Sequence, residues 1–111
     1  ECLPEKLAAK RKLFSLYQLA FSKLDGIKLV SEPVRCTSNY WLQTLLLDDE
    51  SAELREDVLK LTNESGQMTR PAWKLMHELA PFRNCPRMNL EIAESLAHRL
   101  INIPSSPQLA L

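Results

Sequence analysis

Two glycines are all that the 111-residue sequence contains, and no Gly-rich phosphate loop can be assembled from them. Other self-sufficient catalytic signatures are missing too. There is no GxSxG elbow and no HExxH pair, and His77 and His98 each stand alone. The three cysteines, Cys2, Cys36 and Cys85, are odd in number and never form a CxxC pair. That argues against a disulfide framework and against a zinc site, and they read as small buried thiols in a reducing cytoplasm. Net charge is absent as well: 14 Lys and Arg balance 14 Asp and Glu. No overall field draws in nucleic acid or an anionic membrane, so neither is an expected partner. No apolar run approaches the roughly 20 residues that span a bilayer, and the opening ECLPEKLAAKRK lacks the apolar core of a secretory signal. The chain is expected to be a soluble, cytoplasmic protein.

What is present is a chain 45% hydrophobic, long enough for one compact domain with a single core and too short for two ordinary ones. From Pro4 to Leu24 no glycine intervenes, and Leu13, Phe14, Tyr17, Ala20, Phe21 and Leu24 recur at spacings of three and four. This predicts a long amphipathic helix, opened by a proline in its first turn and closed by Asp25-Gly26. Ile27 to Val30 reads as a short strand and Asn39 to Leu47 as a longer, more deeply buried one. Carboxylates at 48–50 and Ser51 precede a second helix with Leu54, Val58 and Leu61 as its stripe, ending before Gly66. Gln67 to Arg70 predicts a third strand stopped by Pro71, and Trp73 to Phe82 a turn with a short helix. Asn89 is placed to cap a last helix carrying Leu90, Ala93, Leu96, Ala97 and Leu100, after which Ile101 to Pro104 is extended. Beyond Ser105 the pattern fits either a frayed tail or one more element. The order implies an α+β fold, a small antiparallel or mixed sheet of three to four strands packed against helices.

Two clusters carry most of the unusual chemistry. Thr69 to His77 gathers an Arg fork, an indole, an ammonium and an imidazole, a set able to clamp a phosphate or carboxylate and stack on a ring. The same residues also fit a plainer arrangement, with Arg70 and Lys74 solvated, Trp73 plugging the core and His77 bonded to backbone. Ser38-Asn39-Tyr40-Trp41 sits at the entrance of the buried strand, where side chains reach a cleft. A strand cap with two packed aromatics is its plainer reading.

These two segments, Ser38-Asn39-Tyr40-Trp41-Leu42-Gln43-Thr44 and Met68-Thr69-Arg70-Pro71-Ala72-Trp73-Lys74-Leu75-Met76-His77, resemble the DegT-type sugar aminotransferases. In the branch that makes 4-amino sugars for bacillosamine and legionaminic acid, an SNxWL strand, a helix and an RPxWxxMH segment follow one another in this order. The resemblance continues through Asn84 to Met88 and Arg99 to Ser106, and departs at Leu75, where many relatives have proline. It implies that residues 1–111 form the C-terminal small domain of a longer fold-type I enzyme. A start without methionine and with a helix almost at once is what a chain cut inside that enzyme would show.

The resemblance further implies a parent enzyme that uses pyridoxal phosphate to move an amino group from an amino acid, typically glutamate, to a 4-keto nucleotide-deoxysugar. Its expected partners are the nucleotide-sugar, the amino-acid donor and a second copy in a homodimer. The Schiff-base lysine, the pyridinium-partner Asp and the phosphate-binding residues belong to the large domain, so no cofactor and no catalysis are expected of this piece alone. As substrate-binding residues the resemblance implies Arg70 for a phosphate or carboxylate, Trp41 and Trp73 for the sugar pocket, Asn39 for a sugar substituent, and His77 for substrate or for holding its segment. A stand-alone interaction or ligand-binding module without catalysis is the competing expectation.

Overall fold

The computed structural model describes residues 2–110. Helix α1, Leu3–Phe21, opens with Pro4 in its first turn. It buries Leu13 and Phe14 and leaves Leu24 exposed beyond its end. The chain then turns through Gly26, whose φ of +80 suits a residue without a side chain. A Cβ there would lie 2.8 Å from Ser51 Oγ, which a turn of the Ser51 side chain would relieve, so it is the conformation that favours glycine.

Four strands form one fully antiparallel sheet: β1, Ile27–Leu29; β2, Gln43–Leu47; β3, Arg70–Pro71; and β4, Leu100–Ile103, in the spatial order β1-β2-β4-β3. Of the antiparallel and mixed alternatives the sequence left open, the structure takes the antiparallel one. Alternation along β2 sends Gln43, Leu45 and Leu47 inward. Their register partners Ile103 and Ile101 on β4 do the same. Together with Leu59 these leucines and isoleucines form the core, against which Tyr17, Phe21, Ile27, Leu29 and Val58 pack. The other two helices are α2, Arg55–Glu64, and α3, Glu91–Arg99.

Several element boundaries differ from expectation for identifiable reasons. The second strand starts at Gln43 rather than Asn39, because Ser38 and Asn39 side chains take up the N–H groups of Tyr40 and Trp41 as local turns. Tyr40 adopts a left-handed φ of 46 in that turn. The third strand is only Arg70–Pro71, because Thr69 is drawn towards α2. Asn63 Nδ2 donates to its carbonyl at 3.0 Å, and the hydroxyls of Thr62 and Thr69 share a 2.6 Å hydrogen bond. In the second helix the first turn, Asp49–Leu54, is a 3₁₀ turn. Leu54 and Leu61 are exposed, Val58 is partly buried and Leu59 carries the contact, so the inward face of α2 runs through Val58 and Leu59 rather than through Leu54 and Leu61.

Trp73 to Phe82 holds two short 3₁₀ turns, Met76–Glu78 and Ala80–Phe82, in place of a helix. Asn89 Oδ1 accepts the N–H of Glu91 at 2.9 Å, as a residue opening the last helix should. After Ser105 the chain forms one more element, a 3₁₀ turn at Pro107–Ala110 that buries Ala110. The cysteines correct the expectation of buried thiols: all three are free and exposed. Cys36 and Cys85 lie in connecting segments and Cys2 at the start of α1, outside every core position. Among the described residues no helix is long and apolar enough to cross a membrane.

Candidate functional site

The connection from β1 to β2 is organised by a carboxylate. Glu32 accepts the backbone N–H of Ser38 at 2.7 Å and the Arg11 guanidinium at 2.8 Å, while Arg11 also donates to the Ser38 carbonyl at 2.6 Å. The Ser38 N–H first, and Arg11 second, hold the Glu32 carboxyl below its ordinary range. Arg11 also lies over the Tyr40 ring, 5.4 Å from its centre. With Tyr40 buried, the next residue is directed outward, and Trp41 is 63% exposed.

Although its ring is exposed, the backbone of Trp41 is bound on both sides. Its N–H donates to Asn39 Oδ1 at 3.0 Å, and its carbonyl accepts from Lys10 Nζ at 2.8 Å. Asn39 thus uses its oxygen within its own loop, and among the described residues its amide nitrogen has no partner.

Trp73 reaches the same place from β3. Its ring centroid lies 6.0 Å from that of Trp41, with the planes tilted by 38°, a favourable aromatic geometry. At 74% exposure Trp73 is not a core plug, which removes the plainer reading of that residue. Three residues earlier, Arg70 pairs in register with Asn102 of β4, whose partner on β2 is Thr44. Thr44 Oγ1 donates to Asn102 Oδ1 at 2.9 Å, and Asn102 Nδ2 to the Pro71 carbonyl at a long 3.4 Å. Thr44, Asn102 and Arg70 therefore make a polar row on the sheet face opposite the core. Arg70 is exposed, and among the described residues its guanidinium has no hydrogen-bond or ion-pair partner. A cleft of about 290 Å³ is lined by Pro71, Trp73 and Lys74 together with Arg55 and His98.

His77 is placed differently. Its Nε2 lies 3.1 Å from Glu94 Oε1 on α3, with only 17% of the side chain exposed. It borders a separate, apolar hollow of about 410 Å³ formed by Leu75, Met76, Phe82, Cys85 and Leu90. The structure therefore joins Asn39, Trp41 and Trp73 in one place and gives His77 a protein partner.

Sequence reasoning passed over Lys10, Asn102 and Glu94. A lysine on a charged helix, an asparagine in a strand and a glutamate on a last helix look like ordinary surface residues until the fold supplies their partners. Pyridoxal phosphate is held through a lysine Schiff base, and neither lysine beside the two indoles shows a site for it. Lys10 bonds two carbonyls, Lys74 stands exposed, and among the described residues neither forms an ion pair with a carboxylate.

Residues 1–111 match the model of the DegT/DnrJ/EryC1/StrS aminotransferase family. EpsN of Bacillus subtilis (strain 168), which carries the name of a pyridoxal phosphate-dependent aminotransferase, is 30% identical over 98% of this chain and 29% of its own length. A GDP-perosamine synthase of Caulobacter vibrioides is 26% identical over 95% of this chain and 29% of its own. The chain thus spans less than a third of the length of the relatives it matches. Among solved structures, DesI, determined in the presence of its TDP-sugar product, superposes with a TM-score of 0.83 at 22% identity, over 96% of this chain and 30% of that one. PseC of Helicobacter pylori, an aminotransferase involved in the biosynthesis of pseudoaminic acid, superposes with a TM-score of 0.82 at 14% identity, over 93% of this chain and 28% of that one. These likenesses establish the α+β fold of the chain.

Proposed function

This chain belongs to the DegT/DnrJ/EryC1/StrS aminotransferase family, and from that premise we propose that it is the C-terminal small domain of a pyridoxal-phosphate-dependent sugar aminotransferase. The parent enzyme moves an amino group from an amino acid, glutamate, to the 4-keto carbon of a nucleotide-linked deoxysugar that feeds cell-surface glycan synthesis. It works in the cytoplasm as a homodimer. The small domain closes one side of the cleft and does not transaminate alone.

The observation that carries this reading is the Trp41–Trp73 contact. Two family-like segments far apart in sequence present neighbouring exposed indoles, a surface suited to the apolar faces of a deoxysugar ring. Arg70, on the strand leading into Trp73, has a guanidinium without a partner among the described residues, with which to make charge-assisted hydrogen bonds to a substrate phosphate or to the donor carboxylate. Asn39 has its amide nitrogen left for a sugar substituent. His77 holds the segment from Arg70 to Glu78 against α3 through Glu94.

The full-length enzyme tests this. Purified with pyridoxal phosphate, it should bind the cofactor with a visible chromophore, change that absorbance when glutamate is added, and convert a 4-keto nucleotide-sugar to its 4-amino form by mass spectrometry. A full-length protein that takes up no cofactor, or that aminates no keto sugar, overturns the reading.

A further inference from the structure

Resting on that reading, we propose that Lys10, on α1, is a positioning residue for the sugar pocket: its ammonium holds Trp41 in the pose that meets Trp73. An exposed indole is held by few packing contacts, so its placement depends on its backbone. At Trp41 that backbone is secured by one bond within the loop, to Asn39, and one bond that leaves it, to Lys10. Among the described residues, Lys10 Nζ is the tie between the Trp41 main chain and the helical scaffold.

The same ammonium donates to the Ser105 carbonyl at 2.6 Å. Ser105 Oγ in turn accepts the N–H of Gln43 at 2.7 Å and donates to the Ile103 carbonyl at 2.8 Å. Gln43 Nε2 closes the circuit by donating to the Lys10 carbonyl at 3.2 Å. Lys10 thereby joins α1, the turn before β2 and the exit of β4 in one network.

The chemistry suits the task. An ammonium carries three donors and no acceptor, so one side chain binds two carbonyls at once, and charge makes both bonds short and strong. Both acceptors are neutral, and no carboxylate pairs with Lys10 among the described residues, so desolvation holds its pKa below the ordinary lysine value. A lysine used only for solubility would keep its head in water. Here the head is turned inward on the carbonyl of the residue that carries the indole.

The test uses the full-length holoenzyme with Lys10→Met, which keeps the stem and removes every donor, and Lys10→Gln, which keeps a neutral donor. Coupling between the two indoles is read as the far-ultraviolet circular dichroism couplet lost on Trp73→Phe. Lys10→Met should abolish that couplet and raise KM for the nucleotide-sugar roughly tenfold, with KM for the amino donor unchanged and Lys10→Gln intermediate. If Lys10→Met does not fold, Lys10→Gln is judged by the same couplet and the same KM. An intact couplet with an unchanged sugar KM overturns the proposal, as does an equal loss towards both substrates that follows a lowered melting temperature. A wild-type enzyme that fails to transaminate would overturn the parent reading instead, and the couplet alone would still judge Lys10.

Discussion

The ring of Tyr40 lies stacked on that of Phe14, centroids 4.2 Å apart and planes within 20°, although the Tyr40 backbone is left-handed. The stack is what holds an unfavourable φ in place, and it decides that residue 40 faces in and residue 41 out. Phe14→Ala should destabilise the fold by about 3–5 kcal/mol. Tyr40→Phe, which keeps the stacked ring, should cost less than about 1.5 kcal/mol. Urea unfolding followed by the fluorescence of Trp41 and Trp73 measures both, and equal losses would show that the stack is not the source of the order.

Arg70→Ala in the full-length enzyme should lower kcat/KM by about ten- to a thousandfold, the loss of one or two charge-assisted bonds to substrate. Arg70→Lys should recover only part of it, because an ammonium does not reproduce the planar fork. Steady-state kinetics with each substrate varied in turn gives the answer, and unchanged values would remove Arg70 from the site.

His77 and Glu94 should behave as a pair. If the imidazole holds its segment through Glu94, then His77→Gln and Glu94→Gln lower activity to the same level and the double variant is no worse, a coupling of about 0.5 kcal/mol or more. A direct substrate contact by His77 would show as a much larger loss for His77→Gln than for Glu94→Gln.

Acid should loosen the loop before Trp41. Because the Glu32 pKa is lower in the folded chain than in the unfolded one, its contribution is complete above the ordinary carboxylate pKa. It is lost as the pH falls through the depressed value. Hydrogen exchange at the Ser38 amide, or indole fluorescence during an acid titration, should report the release. In Glu32→Gln the loop should already be loosened at neutral pH and the acid step should vanish; an unaltered titration would contradict this.

The core of the fold could be read from the sequence. The spacing of Leu13, Phe14, Tyr17 and Phe21 and the apolar run that ends at Leu47 reflect burial by regular elements, and the structure places these residues in or against buried positions. What could not be read were the places where a side chain captures backbone. Asn39 delays β2, Asn63 and Thr62 shorten β3, and Lys10 seats Trp41. Each of these bonds depends on partners that only the folded chain brings together. The stripe of α2 was misread: its inward face runs through Val58 and Leu59 while Leu54 and Leu61 are exposed, and which flank of a helix meets the sheet is set by packing that only the fold supplies. Of the site, Trp41 and Trp73 were visible as residue types, but their contact across the molecule was not.

Pro71 ends the sheet in a way that matters for how copies of this chain meet. It occupies one margin of the sheet and has no N–H to offer a further strand. At the opposite margin β1 offers just three residues. Neither side is a good template for strand addition, the route by which many sheets polymerise. Encounters between molecules are thereby biased towards side chains, and the exposed indoles and leucines can serve recognition without turning the sheet itself into a seed for fibres.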